Sequence, residues 1–307
     1  MTVIKTVAVT GASGAVGTAV VNAIVESGKF NVSVLARTGS KAAFPSSVKI
    51  AYVDYSDVAS LTEAFRGNDA VISTVGLMGL QGQTTAVEAA VAAGVKRFLP
   101  SEFGYDLEDP KIEAITANLP IFGAKVNVKK LIEEKAASNP DFTYTYVYNG
   151  TFLDWGLEHS FLFDLQSGKP RIFDGGDRPF STTTLKSTAQ AVVGVLEHPD
   201  ETKNRAVYIQ DLVLTQNKIF ALAKKVAPEK TKSWEPVPTS TTSIKGSSDA
   251  ALAKGDDSLP VLFEYLYVLF FGEGYDAEYK ELDNELLGIA GDKSDADIEA
   301  ILAPILN

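Results

Sequence analysis

The chain has 307 residues, 45% of them hydrophobic and 22% charged, which suits one large or two modest globular domains. It has no cysteine, which excludes disulfides, thiolate metal sites and cysteine nucleophiles and fits an intracellular, cytoplasmic location. A net charge of −11 argues against nucleic acid as a partner, and the longest apolar run, Val261–Phe271, contains Glu264 and is too short to cross a bilayer.

Thr6–Thr10 reads as a strand, reached with no charged and apolar leader before it, so no secretory signal is predicted. Gly11-Ala-Ser13-Gly14-Ala15-Val16-Gly17 follows at once. The three glycines suit a tight turn, a close approach of backbone to a pyrophosphate, and close packing of the next helix on the sheet. The N–H groups and the positive end of that helix would face the phosphates. The helix is Ala15–Glu26, with Val16, Ala19, Val20, Ala23 and Ile24 on one face and Gly28 after its end.

Asn31–Ala36 is the second predicted strand, and Arg37-Thr38-Gly39-Ser40-Lys41 follows it. An Asp or Glu here would bond the ribose 2′-hydroxyl of NAD. The stretch has no carboxylate. A guanidinium, two hydroxyls and an amine favour a 2′-phosphate, so NADP(H) is expected over NAD(H), unless Arg37 is merely a surface turn residue.

Val48–Val53, Ala70–Val75, Arg97–Pro100 and Thr143–Tyr148 are the third to sixth strands. Helices are predicted at Leu61–Phe65, Thr85–Ala93 and Ile121–Ala137. Strands alternating with helices predict an α/β chain with a Rossmann-type, doubly wound parallel sheet. Residues 1–150 form the NADP-binding core, and 181–210 return to it through a helix near Thr188–Leu196. Residues 151–180 and 211–307 form a smaller, mainly helical substrate-binding region, in which polar Thr239–Ser248 reads as a loop. Residues 255–307 hold thirteen Asp/Glu against two Lys, which reads as a solvated acidic face or a docking surface.

None of the eleven tyrosines has a lysine four residues later, so the proton donor of ordinary short-chain dehydrogenases is missing. The helix Ile121–Ala137 offers another. Ile121, Ala124, Val128, Leu131 and Ile132 make an apolar stripe, and Lys125 stands inside it. A lysine there either snorkels over apolar surface or works as an acid–base group with a lowered pKa. His159 and His198 have no metal-ligand spacing, His198-Pro199 reads as a helix end, and no metal site is expected. Glu102 reads as pairing a lysine or capping a helix.

Three stretches together carry a resemblance: Gly11–Gly17, then Val95-Lys96-Arg97-Phe98-Leu99-Pro100-Ser101-Glu102-Phe103-Gly104, then Lys125-Val-Asn-Val-Lys129-Lys130-Leu-Ile-Glu133. Over about residues 5–155 the chain resembles the isoflavone reductase-like group of NmrA-like atypical short-chain dehydrogenases, which includes pinoresinol–lariciresinol and phenylcoumaran benzylic ether reductases. The resemblance implies an NADPH-dependent reductase of a small-molecule substrate with Lys125 as general acid or base. With it, Gly11, Ser13, Gly14, Ala15, Val16, Gly17, Arg37, Thr38, Ser40, Lys41, Val75, Gly76, Ser101 and Lys125 are expected at the cofactor. Phe103, Tyr148, Asn149 and Phe152 are implied around the nicotinamide, and Phe103, Tyr148, Phe152 and Trp155 at the substrate; otherwise these aromatics belong to the core. Tyr148-Asn149-Gly150 and the segment Asp106–Leu119 depart from the plant members and bear on the substrate. The alternative function is a non-catalytic NADP(H)-binding redox sensor acting through a partner protein, which has no need of Lys125.

Overall fold

Val7-Ala-Val-Thr10, the body of strand β1 (Thr6–Thr10), is buried on both faces, as an inner parallel strand requires. Val7 and Val9 turn to one face, against α1 (Ala15–Ser27) and α6 (Leu185–Glu197). Ala8 turns to the other, against α2 (Val58–Phe65), α3 (Gln83–Ala92) and α4 (Pro120–Ser138). The computed structural model describes residues 2–107, 110, 112, 119–275, 277–291 and 293–307, without the side chains of residues 120 and 121. Most of the divergent segment Asp106–Leu119, and the Ile121 side chain of the predicted stripe, therefore lie outside the described residues.

The main sheet has seven parallel strands in the order β10-β6-β5-β4-β1-β2-β3. They are β2 (Asn31–Arg37), β3 (Lys49–Val53), β4 (Ala70–Ser73), β5 (Arg97–Leu99), β6 (Thr143–Tyr148) and β10 (Arg205–Tyr208), with β1. The winding reverses between β1 and β4, which are direct neighbours: Thr10 lies beside Ser73 on one side and Leu35 on the other. A crevice opens beyond the carboxyl ends of the strands at such a point. The expected doubly wound sheet is present, with β10 as a seventh strand after the predicted six.

Asp69 ties the starts of these strands together. Its carboxylate accepts from the N–H groups of Lys5 (2.9 Å) and Thr6 (3.0 Å) and from the Lys96 ammonium (2.7 Å). Burial pushes this carboxyl up, but Lys96 and the N–H groups outweigh it and hold it at about 2. A depressed folded-state pKa gives stability that is present above the unfolded value and lost as pH falls toward the folded one. Asp69→Asn should therefore cost about 2 kcal/mol in urea denaturation at pH 7, and much less near pH 2. An equal cost at both pH values would refute this role.

The rest of the chain builds a second core. β7 (Thr151–Phe152), β9 (Phe180–Thr183) and β11 (Leu212–Leu214) form one small sheet, and β8 (Arg171–Phe173) with β12 (Val237–Thr239) another. Around them pack α5 (Leu153–Glu158), α7 (Gln216–Val226), α8 (Pro228–Thr231), α9 (Thr241–Leu252), α10 (Leu259–Phe271) and α11 (Asp295–Leu306). The apolar run noted in the sequence is α10. Its Tyr265, Val268, Leu269 and Phe271 are buried, and Glu264 at its margin pairs Arg171 at 2.9 Å. No helix among the described residues is long and apolar enough to cross a membrane.

One expectation fails here. Thr239–Ser248 is not a loop, since α9 begins at Thr241. Ser240 caps it by accepting the Ser243 N–H, and Asp174 accepts from the N–H and hydroxyl of Thr241. From α10, Tyr265 donates to Asp249 at 2.6 Å. Capping and packing on α10 override the weak helix preference of a Ser/Thr/Gly-rich segment.

Candidate active site

The glycine turn has the expected build. Gly11 has φ +71°, and a Cβ there would overlap the main chain of Thr74. A Cβ on Gly17 would overlap the Gly11 carbonyl oxygen and Thr74, so only glycine lets α1 sit this close to the sheet. Gly14 is different. A Cβ there would meet only the Gly11 oxygen, at 3.4 Å, and the residue is exposed with Ser13 and Ala15. Gly14 also caps α1 and has no side chain to satisfy the first-turn N–H groups, which include those of Ala15, Val16 and Gly17. That helix end can receive an anion.

A cavity of about 810 Å³ runs from this turn along the ends of β1, β2 and β4. Gly11, Ser13, Arg37, Ser40, Val75 and Gly76 line it, and Arg37 is the one ionised group among the described lining residues. Thr38 and Lys41 are exposed and do not line it. Two aromatics absent from the sequence reading do, Phe44 and Tyr55. Tyr55 donates to the Leu35 carbonyl at 2.7 Å, and burial pushes its phenol up to about 12 against Gly11 and the Arg37 charge. Its place two residues beyond β3 was a usable signal, because carboxyl ends of strands face the crevice.

Three polar atoms in this wall await a partner. Thr10 Oγ1, Ser73 Oγ and Gln83 Nε2 are buried, belong to lining residues and have no hydrogen-bond partner among the described residues. Buried polar groups are rarely left unpaired without cause. Gln83 is held in place, since its Oε1 accepts the Ser101 N–H at 2.8 Å. The Ser101 hydroxyl donates to the Val75 carbonyl at 2.8 Å, so Ser101 shapes the end of β4 from behind. The glycine turn, the single cation and these unpaired atoms together fit a phosphorylated dinucleotide.

A second cavity of about 220 Å³ adjoins the first at Leu77, which lines both. Its wall is apolar and aromatic: Phe103 after β5, Phe122 on α4, Phe152 and Trp155 at α5, Phe161, and Phe263 and Phe270 on α10. Lys125 is the one charged side chain among the described lining residues. Its ammonium donates to the Glu102 carbonyl at 3.0 Å, and its side chain is 14% exposed. The Glu102 carboxylate lies 3.6 Å from it and is wholly buried. Burial pushes that carboxyl above the usual carboxylate range, against the pull of Lys125 and Lys129. Of the two readings of Glu102, lysine pairing is the one realised.

Phe103, Lys125, Phe152 and Trp155 thus share one cavity, while Tyr148 and Asn149, expected beside them, line neither. Alternation along β6 decides this. Val147 faces α1 and α6, so Tyr146 and Tyr148 face α4, where the Tyr148 hydroxyl accepts from buried Lys129 at 2.9 Å. Asn149 is fully buried, and its carbonyl accepts the Thr183 hydroxyl at 2.7 Å. Both are core residues. His159 stacks on Trp155, with 4.5 Å between ring centroids, and His198 ends α6. Among the described residues no group of His, Asp and Glu has the arrangement of a metal site.

A family profile described as the NmrA-like family matches residues 4–243. The chain belongs to that family. Oxidoreductase aprR of Aspergillus flavus is 31% identical over 96% of this chain and 98% of its own length. Oxidoreductase poxI of Penicillium oxalicum is 37% identical over 70% of this chain and 68% of its own. Among solved structures, a leucoanthocyanidin reductase–NADPH complex from Vitis vinifera superposes with a TM-score of 0.76, covering 98% of this chain and 100% of its own at 18% identity. That likeness is one of fold, a Rossmann-type core with a helical C-terminal region.

Proposed function

We propose that this chain is an NADPH-dependent reductase of a small aromatic or phenolic molecule, with Lys125 as its general acid–base group. The observation that carries the reading is Lys125 itself, the one charge among the described lining residues of an aromatic cavity that adjoins the dinucleotide-sized cavity at Leu77. The two relatives named as oxidoreductases and the NADPH-bound structural neighbour support it.

The turn Gly11–Gly17 and the first turn of α1 would hold the pyrophosphate, and Arg37 with Ser40 the 2′-phosphate. NADPH, when bound, supplies a hydride to an electron-poor carbon. Phe103, Phe152, Trp155 and Phe161 pack a flat ring and keep water out, which strengthens every electrostatic interaction in the cavity. The Lys125 amine meets the substrate oxygen, a carbonyl or an enolic or phenolic hydroxyl, and gives or takes its proton there.

The test is NADPH oxidation, followed by absorbance, across single-ring enones, aromatic carbonyls, phenolic ethers and imines. Turnover with NADPH and little with NADH is expected. Silence across the panel, alongside tight NADP+ binding, would favour the sensor instead.

A further inference from the structure

Beside Lys125, and lining neither cavity, is the carboxylate of Glu102. Glu102 is fully buried, and neither carboxylate oxygen has a hydrogen-bond partner among the described residues. A buried carboxylate without hydrogen bonds is costly, and it persists only through nearby positive charge or by taking up a proton. Two lysines supply that charge, both from α4. Lys125 is at 3.6 Å, and buried Lys129 also acts on the carboxyl. Asp106, after β5, faces the same group, and its side chain is 24% exposed. It stands 3.9 Å from the Lys129 ammonium and accepts from the Tyr208 hydroxyl at 2.6 Å. From β6, the Tyr148 hydroxyl accepts from Lys129, and the Lys129 ammonium sits 4.5 Å from the Tyr146 ring centroid.

We infer that Glu102 is the proton partner of Lys125, holding the amine in its charged form and returning a proton to it after each turnover. The inference rests on the acid–base reading of Lys125. At rest the pair is an ammonium and a carboxylate. When Lys125 acts as the acid, its N–H bond breaks and an O–H bond forms on the substrate, leaving a neutral amine beside a buried carboxylate. That carboxylate has lost its nearest cation, so its affinity for a proton rises and it takes one from solvent. The Glu102 O–H bond then breaks as the Lys125 N–H bond reforms, and the pair returns to its first state. Asp106, which faces the same carboxyl, has a partly exposed side chain and gives this side a contact with solvent. Glu102 itself lines neither cavity and so acts through Lys125 as a positioning residue.

The experiment reads the amine directly and needs no substrate. The full-length protein with NADP+ is labelled with trace acetic anhydride across a pH series, and acetylation of Lys125 is followed by peptide mass spectrometry. In Glu102→Gln, the pH midpoint for Lys125 reactivity should fall by about one unit or more, because the charged form has lost its partner. A change in packing alone would alter the labelling rate at every pH without moving the midpoint. An unmoved midpoint overturns the inference. Should the Gln variant fail to fold, Lys125→Met serves in its place. With the ammonium gone, the infrared spectrum at neutral pH should gain a carboxylic-acid C=O band, and no gain overturns the inference. The two readings separate cleanly. A shifted midpoint with full turnover in Lys125→Met keeps the pair and removes the catalytic lysine. An unmoved midpoint with turnover lost in Lys125→Met keeps the lysine and removes Glu102.

Discussion

Replacing Lys125 with methionine is expected to lower turnover by about 10²- to 10⁴-fold while leaving the affinity for NADPH within about twofold of wild type. The size of the loss follows from the cavity's composition. Its described lining offers no other charged group, and the aromatic side chains around Lys125 cannot exchange a proton near neutral pH. NADPH affinity should persist because Lys125 lines the smaller cavity and not the larger. Methionine is the better choice over alanine, since it keeps an apolar stem of similar length in the wall that Lys125 shares with Phe122 and Phe152. It also leaves Glu102 buried beside one fewer cation, so some stability is lost, and denaturation should be measured with activity. Lys125→Arg sharpens the result. Arginine keeps the positive charge but does not give up its proton near neutral pH, so it should not restore turnover if proton transfer is the role. Near-normal activity in the Arg variant would reduce Lys125 to an electrostatic group.

Arg37→Ala is expected to weaken NADPH binding by about 10- to 100-fold in calorimetric titration, the worth of one or two charge-assisted hydrogen bonds. NADH binding should barely change. Among the described lining residues the selectivity of the site rests on this side chain, because Thr38 and Lys41 do not line the cavity and Ser40 carries no charge. No described lining residue is a carboxylate, so nothing in the wall repels a 2′-phosphate. Equal losses for NADPH and NADH would mean that Arg37 acts on the adenine ring they share, and Phe44 and Tyr55 would then need testing in its place.

What could be read from the sequence depended on how local each feature is. Gly11 and Gly17 act through main-chain geometry within one turn, so their spacing was enough, whereas the helical period put Lys125 in an apolar stripe and left open whether it snorkels or moves a proton. Tyr148 was misplaced because the end of a strand does not reveal which face its last side chain takes. That depends on which face α4 covers, and Lys129 claims the Tyr148 hydroxyl there. Helix α9 was read as a loop because its cap is completed by Asp174, far away in sequence, and its packing by α10. Phe161 and the α10 side chains of the aromatic cavity come from segments whose composition suits any core. Their convergence on Lys125 is a property of the tertiary structure alone.

In the proposed reductase a dinucleotide in the large cavity works with a proton carried by Lys125. A crystal structure with NADP+ tests both halves at once. Density is expected for the pyrophosphate over Gly11–Gly17, the 2′-phosphate on Arg37, and the nicotinamide at the Leu77 junction with one face open to the cavity that holds Lys125. A nicotinamide turned away from that junction, or walled off from Lys125 by ordered side chains, would contradict it.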